Sequence, residues 1–148
     1  MEMLVVVGII GIVTGIIMSS ISSAKAKGRD AKRIADISVI QLALERYYDI
    51  NRNYPTSLSV FLTDSSVPTK DPSGNDYKYS ALNADNTAVC SSGSCQSYHL
   101  GATLELYNAI LADDADDIDL KLTPITSPDF DGTDNTTSLF VYDVVPKF

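Results

Sequence analysis

Hydrophobic and polar positions divide this chain sharply. Leu4 to Met18 carries no charge, and its apolar residues point in every direction around a helix. With the Ser/Ala-rich continuation to Ala24 the run covers about 22 residues, against the ~20 that span a bilayer. The many β-branched residues would favour a strand in water, but the uninterrupted length argues for a helix. A lone segment in lipid can satisfy its backbone only as a helix. From Ile34 onward the pattern changes. Ile34, Ile37, Ile40, Leu44 and Tyr47 recur at spacings of three and four and make one face. Ala43, Tyr48 and Leu42 widen it, while Arg33, Asp36, Gln41, Glu45 and Asp49 fall largely on the other side. The pattern predicts one long N-terminal helix, apolar over 1–24 and amphipathic over 25–52, with Gly28 as a soft spot between the halves. Pro55 disfavours helix in the residue before it and closes the segment.

The remainder, 53–148, reads as a small β-rich head packed on that stripe. Ser57 to Leu62 suits a short helix. Asp71-Pro72-Ser73-Gly74-Asn75-Asp76-Tyr77 is dense in turn formers. Tyr77 to Leu82 alternates as a strand. Thr87 to Cys90 and Cys95 to Leu100 are expected to pair as a hairpin around the cysteine loop. Thr103 to Leu111 places Leu104, Tyr107, Ile110 and Leu111 on one side of a short helix. Ser138 to Val145 is rich in β-branched and aromatic residues and reads as the last strand. The fold class is therefore α+β: a long helix packed on a small antiparallel sheet.

Charge changes the picture in two ways. Acidic residues outnumber basic ones 19 to 11, a net charge of −8. That argues against nonspecific nucleic-acid binding, which rests on Lys and Arg. The cations are also unevenly placed, with Lys25, Lys27, Arg29, Lys32 and Arg33 holding nearly half. The positive-inside rule would put that cluster, and the head with it, in the cytoplasm. The other reading is a solvated helix face near the lipid headgroups. Cys90 and Cys95 flank a polar Ser-Ser-Gly-Ser spacer suited to a hairpin tip. A disulfide across its neck comes first, free thiols second and zinc last, since zinc wants about four ligands and His99 alone joins the cysteines. A disulfide implies an oxidising, extracytoplasmic compartment.

Three features carry candidate chemistry. Glu2 heads the apolar run, where it suits the helix dipole or pairs with a cation on a neighbouring chain. Gly11 and Gly15 share a face that lets another helix approach closely, and Gly8 lies in the same run. Asp129, Asp131, Asp134 and Asn135 set oxygen ligands around Gly132 as calcium would need. No Glu closes that run as in an EF-hand, and a flexible acidic turn is the alternative. The acidic run 113–117 reads as solvated. No catalytic constellation is present: one histidine, no Gly-rich phosphate loop, no nucleophile beside a base.

The stretch Glu2-Met3-Leu4-Val5-Val6-Val7-Gly8-Ile9-Ile10-Gly11-Ile12 resembles the N-terminus of type IV pilins and pseudopilins. Tyr47-Tyr48 with Asn53-Tyr54-Pro55-Thr56, and the Asp71–Tyr77 turn, are also similar to that family. The resemblance implies a pilin fold and a non-enzymatic structural subunit of a pilus, fimbrium or secretion pseudopilus. Subunits would wait in the cytoplasmic (inner) membrane, then polymerise into a cell-surface filament through their apolar helices. Glu2 would neutralise a neighbouring subunit's N-terminal amine. Partners would be identical or related subunits, the assembly platform and a prepilin peptidase, with no direct nucleic-acid partner. The family's leader, its aromatic first residue and its methylated N-terminus would lie upstream of Glu2. The late helix proline of many members is replaced here by the Ser19-Ser20 region. Calcium in an Asp-rich C-terminal loop, as some pseudopilins hold, is the only cofactor implied. Two other classes fit the residues. One is a membrane-tethered binding head that never polymerises. The other is a secreted domain beginning near Ala24 after signal cleavage, although the usual positive n-region is missing.

Overall fold

No proline stands before Pro55, and the chain runs as one helix almost up to it. In a computed structural model α1 spans Glu2–Asn51 as one helix of 50 residues, about 75 Å long at 1.5 Å per residue. The structure describes residues 2–86, 88–113 and 140–146, with the side chains of 2, 16–20 and 113 left aside. Gly28 does not interrupt α1, and its neighbours on either side are helical. The helix stops where the backbone turns left-handed. Arg52 has φ of 57°, and its N–H donates to the Tyr48 carbonyl at 2.7 Å. Pro55 follows, as is common beyond such a cap.

The head is a three-stranded antiparallel sheet in the order β1-β2-β3. These strands are β1 (Lys78–Leu82), β2 (Ser97–Leu104) and β3 (Phe140–Val144). In register, Ser80 faces His99 across β1 and β2, and Ala102 faces Tyr142 across β2 and β3. One sheet face packs on α1. Ile37, Ile40 and Leu44 are fully buried there against Tyr54, Phe61, Ala81, Tyr98 and Leu100. A single 3-10 turn, Leu58–Phe61, puts Leu58 and Phe61 into the same core. Its Ser57 hydroxyl accepts the Ser59 N–H, which favours a tight turn over a longer helix. This α+β layout is consistent with the pilin fold.

Three expectations about elements need correction. The hairpin is not 87–90 against 95–100. β2 pairs with β1, and residue 89 makes only an isolated bridge to Leu82. The disulfide loop thus lies within the β1–β2 connection. Thr103 to Leu111 is not a helix. Thr103 and Leu104 complete β2, and a 3-10 turn forms only over Ala109–Asp113. The apolar spacing of Leu104 and Leu111 reflects burial from two different elements. Leu42 does not widen the packing stripe but is 72% exposed on the far side of α1. In the final strand, Phe140–Val144 matches the centre of the expected run, and positions 138 and 139 lie outside the described residues.

Candidate functional site

α1 carries two different surfaces, and a dense polar network lies near the join between them. In the apolar half, Met3, Leu4, Val5, Val6, Val7, Ile9 and Ile10 are all exposed. The sheet packs only on the second half of the helix, so nothing described shields these side chains. A Cβ added at Gly8, Gly11 or Gly15 would meet nothing within 4 Å, so this backbone is open to close approach. Among the described residues no helix is long and apolar enough to cross a membrane. Glu2 is the first residue of α1.

At the join the helix meets the head through charge. Arg33 is 4% exposed and donates in four directions. Its Nε reaches Asp71 Oδ2 at 3.0 Å. Its Nη1 reaches Asp30 Oδ1 at 2.7 Å and Glu105 Oε1 at 2.8 Å. Its Nη2 reaches the Ser73 hydroxyl at 2.9 Å. Asp30, one helical turn earlier, accepts the backbone N–H groups of Glu105 and Leu106. Arg29 grips the Glu105 carboxylate from outside. Burial works against charge on Arg33, but its hydrogen bonds to Glu105, Asp71 and Asp30 outweigh it and raise its pKa. Hydrogen bonds from Arg29 and then Arg33 hold Glu105 down to about 2. Burial opposes ionisation of Asp71, yet the Asn75 N–H and Arg33 keep it below its ordinary range.

The socket for Arg33 is the turn Asp71–Tyr77. Asp71 Oδ1 accepts the N–H groups of Ser73 and Asn75 at 2.9 and 2.8 Å. The Asp71 N–H donates to the Asn75 carbonyl at 2.7 Å, and the Gly74 N–H returns to the Asp71 carbonyl. Gly74 has φ of +91°, a conformation that an L side chain rarely adopts. One Asp71 oxygen therefore builds the loop while the other holds Arg33. The loop also delivers Tyr77, whose hydroxyl donates to Asp36 Oδ2 at 2.7 Å. Lys32 donates to the same carboxylate from one turn earlier. Burial, then Asp36, pushes the Tyr77 pKa up.

Two placements differ from the sequence expectation. Arg33 and Asp36 face the head and are buried, not solvated. Their signal was present in the spacing, since Asp30, Arg33, Ile37, Ile40 and Leu44 follow one helical stripe. A lone buried charge is costly, so these charged positions are tolerated there only because each finds partners. Ile34 and Tyr47, counted in the stripe, are only half-buried at its edges. His99 and Asp143 were likewise not paired in advance. Both are fully buried, with His99 Nε2 within hydrogen-bond distance of Asp143 Oδ2 across β2 and β3.

The helix C-terminus has its own clasp. Cys90 and Cys95 form a disulfide, with Cα atoms 5.7 Å apart. The Cys95 carbonyl accepts the Tyr54 N–H at 2.8 Å. Gln96 accepts from the Tyr48 hydroxyl and donates to the Arg52 carbonyl. The candidate calcium residues Asp129, Asp131, Asp134 and Asn135 lie outside the described residues. Among the described residues no three His, Cys, Asp or Glu side chains are grouped to hold a metal.

With this geometry in view, one relative is informative. The chain is 31% identical over 96 residues to type II secretion system core protein G of Vibrio cholerae. The match covers 53% of this chain and 66% of that protein. The chain thus spans just under two thirds of the relative's length. The similarity supports the pilin and pseudopilin resemblance and nothing more specific. No family model matches the chain, and no solved structure matches it.

Proposed function

We propose that this protein is a non-enzymatic structural subunit of a pseudopilus or type IV pilus-like filament. The observation that carries the reading is the division of one 50-residue helix. Its second half is built into the head, and its first half is an exposed apolar rod with no described partner. A rod of that kind in water would aggregate, so it belongs in lipid or in a bundle of like rods. The subunit waits in the cytoplasmic membrane, and an assembly platform transfers it into a filament with identical or related subunits. The head becomes the outer wall, and the disulfide is suited to the oxidising side of the membrane. A prepilin peptidase would supply the mature N-terminus, and Glu2 would neutralise the neighbour's terminal amine. Similarity to a type II secretion core protein favours the secretion-type filament.

The test is Glu2→Ala in cells that make the native filament, scored by sheared surface yield. The expected result is loss of filament with the head still folded and the protein retained in membranes. Wild-type yield from that variant would overturn the role of Glu2. Protein found only as a membrane-bound monomer in the wild type would overturn the filament itself.

A further inference from the structure

The cations that follow the apolar run are not alike. Arg29 is held by Glu105, Lys32 by Asp36, and Arg33 by Asp30, Asp71 and Glu105. Lys25 and Lys27 are exposed and, among the described residues, hold no ion pair. Height separates the two groups. A hydrocarbon core of about 30 Å takes up about 20 helical residues, which here run from Leu4 to Ser23. The headgroup layer beyond it is about 5–7 Å deep. At 1.5 Å per residue Lys25 and Lys27 stand in that layer, roughly 3 and 6 Å past Ser23. Arg29, Lys32 and Arg33 stand above it, at roughly 9 to 15 Å. The free cations are thus the two that a membrane surface would meet.

The head reaches down to the same level. Its loop after β2 lies beside Lys27, and a cavity of ≈ 320 Å³ opens there, lined by Lys27, Asp30, Leu106, Tyr107, Asn108 and Ala109. Tyr107 is 69% exposed, its ring set T-shaped on Phe140 with centroids 6.0 Å apart. A tyrosine held outward at this height suits the membrane interface, where its ring meets apolar chains and its hydroxyl meets water. Two carboxylates stand near the cavity, and both are engaged. Asp30 accepts from Arg33 and from the Glu105 and Leu106 N–H groups. Glu105 is gripped by Arg29 and Arg33. Asn108 Oδ1 accepts the Ile110 N–H at 3.2 Å, which leaves its Nδ2 group to donate. The open charge of the cavity is therefore the Lys27 ammonium, in a chain whose net charge is −8.

Resting on the membrane stage of the proposed function, we infer that the cavity beside Lys27 seats the headgroup phosphate of an anionic phospholipid. The Lys27 ammonium and the Asn108 amide take the phosphate, and Tyr107 and Leu106 lie against the upper acyl chain. Lys25, roughly 200° away around α1, meets a second headgroup on the far side. An anionic lipid brings charge and apolar chain together, which matches an unpaired ammonium beside an exposed ring. The contact holds the base of the head on the membrane, so a subunit gives up a lipid when it leaves.

The test places a photo-reactive amino acid at Ala109, or at Val7, in the full chain reconstituted in vesicles of phosphatidylglycerol and phosphatidylcholine mixed equally. Adducts are identified by mass. The expected product at Ala109 is a lipid adduct enriched about fivefold in phosphatidylglycerol, the effect of one lysine beside an anionic surface. Lys27→Gln should return the adducts to the mixing ratio without changing thermal unfolding of the head, and Lys32→Gln should leave the enrichment intact. Equal adducts of the two lipids in the wild type, or enrichment that survives Lys27→Gln, overturns the inference. So does enrichment abolished by excess inorganic phosphate at constant ionic strength, which would assign the cavity to a free anion. A lipid adduct at Val7, with none or only a second copy of the chain at Ala109, keeps the membrane stage and rejects this site. No lipid adduct at either position rejects both.

Discussion

Arg33 shows how one side chain can define a joint. Its guanidinium is shared by Asp30, Asp71 and Glu105, so removing it leaves the buried Asp30 and Asp71 carboxylates without that counter-charge. Arg33→Ala should destabilise the head by about 3–5 kcal/mol, the usual cost of breaking a buried pair. Urea unfolding, followed by tyrosine fluorescence or circular dichroism, measures this. Arg33→Lys should recover only part, since an ammonium cannot reproduce the fork of contacts. The same joint sets the acid limb of stability. Glu105 has its pKa lowered from 4.5 to about 2, so the folded state prefers its ionised form. That contribution is complete above pH 4.5 and disappears as pH falls through about 2. Glu105 is one-third exposed, so solvent screens the effect. Glu105→Gln should flatten the fall in stability over that window, as read from unfolding midpoints at successive pH values. An unchanged acid limb would mean that Glu105 contributes nothing there.

At the scale of elements, α1 has an inside and an outside that differ in energetic weight. Leu44 is fully buried, and Leu44→Ala should cost about 2–5 kcal/mol by loss of transfer energy and creation of a cavity. Leu42 projects away from the sheet, so Leu42→Ala should stay within about 0.5 kcal/mol of wild type in the same unfolding assay. Equal losses would contradict the observed orientation of the helix. The disulfide acts on a different element. It closes a short loop in the β1–β2 connection, next to the carbonyl that receives Tyr54. Cys90→Ser with Cys95→Ser should cost about 2 kcal/mol from chain entropy for a six-residue ring. Reductant should lower the melting temperature of the wild type and leave that of the double variant alone.

At the scale of the molecule, the protein is a rod with a head on one side of its second half. If the filament reading holds, assembly and folding are separable properties. Under the filament reading, a bulky substitution at the open Gly11 position should act on filament yield with little effect on the head. Substitutions at Ile40 or Arg33 should unfold the head first. Measuring both quantities for each variant tests the separation directly, and a Gly11 variant that unfolds the head would break it.

Local pattern alone determined much of this. The uncharged run and the three-four spacing after Ile34 specify the helix, because a 3.6-residue period has few other solutions over such a length. The turn formers from Asp71 to Tyr77 mark a loop, and β-branched and aromatic density marks β3. The cysteine spacing allowed a disulfide, while tertiary structure brought the sulfurs together. Long-range pairing was not written in the same way. β2 chose β1 over the nearer segment before the cysteine loop, and it extended through Thr103 and Leu104 where spacing suggested helix. Register depends on how both strands bury side chains against α1, which no single window contains. Arg33 and Asp36 were polar by identity, yet they are buried by their partners. Their position became affordable only when Asp71, Glu105 and Tyr77 arrived from 38 to 72 residues away to satisfy them. His99 and Asp143 met for the same reason, because antiparallel pairing of β2 with β3 brought two distant residues to one buried spot. Sequence periodicity fixes what a segment prefers to be, and tertiary structure decides which polar groups can be buried together, since that depends on partners distant in the chain.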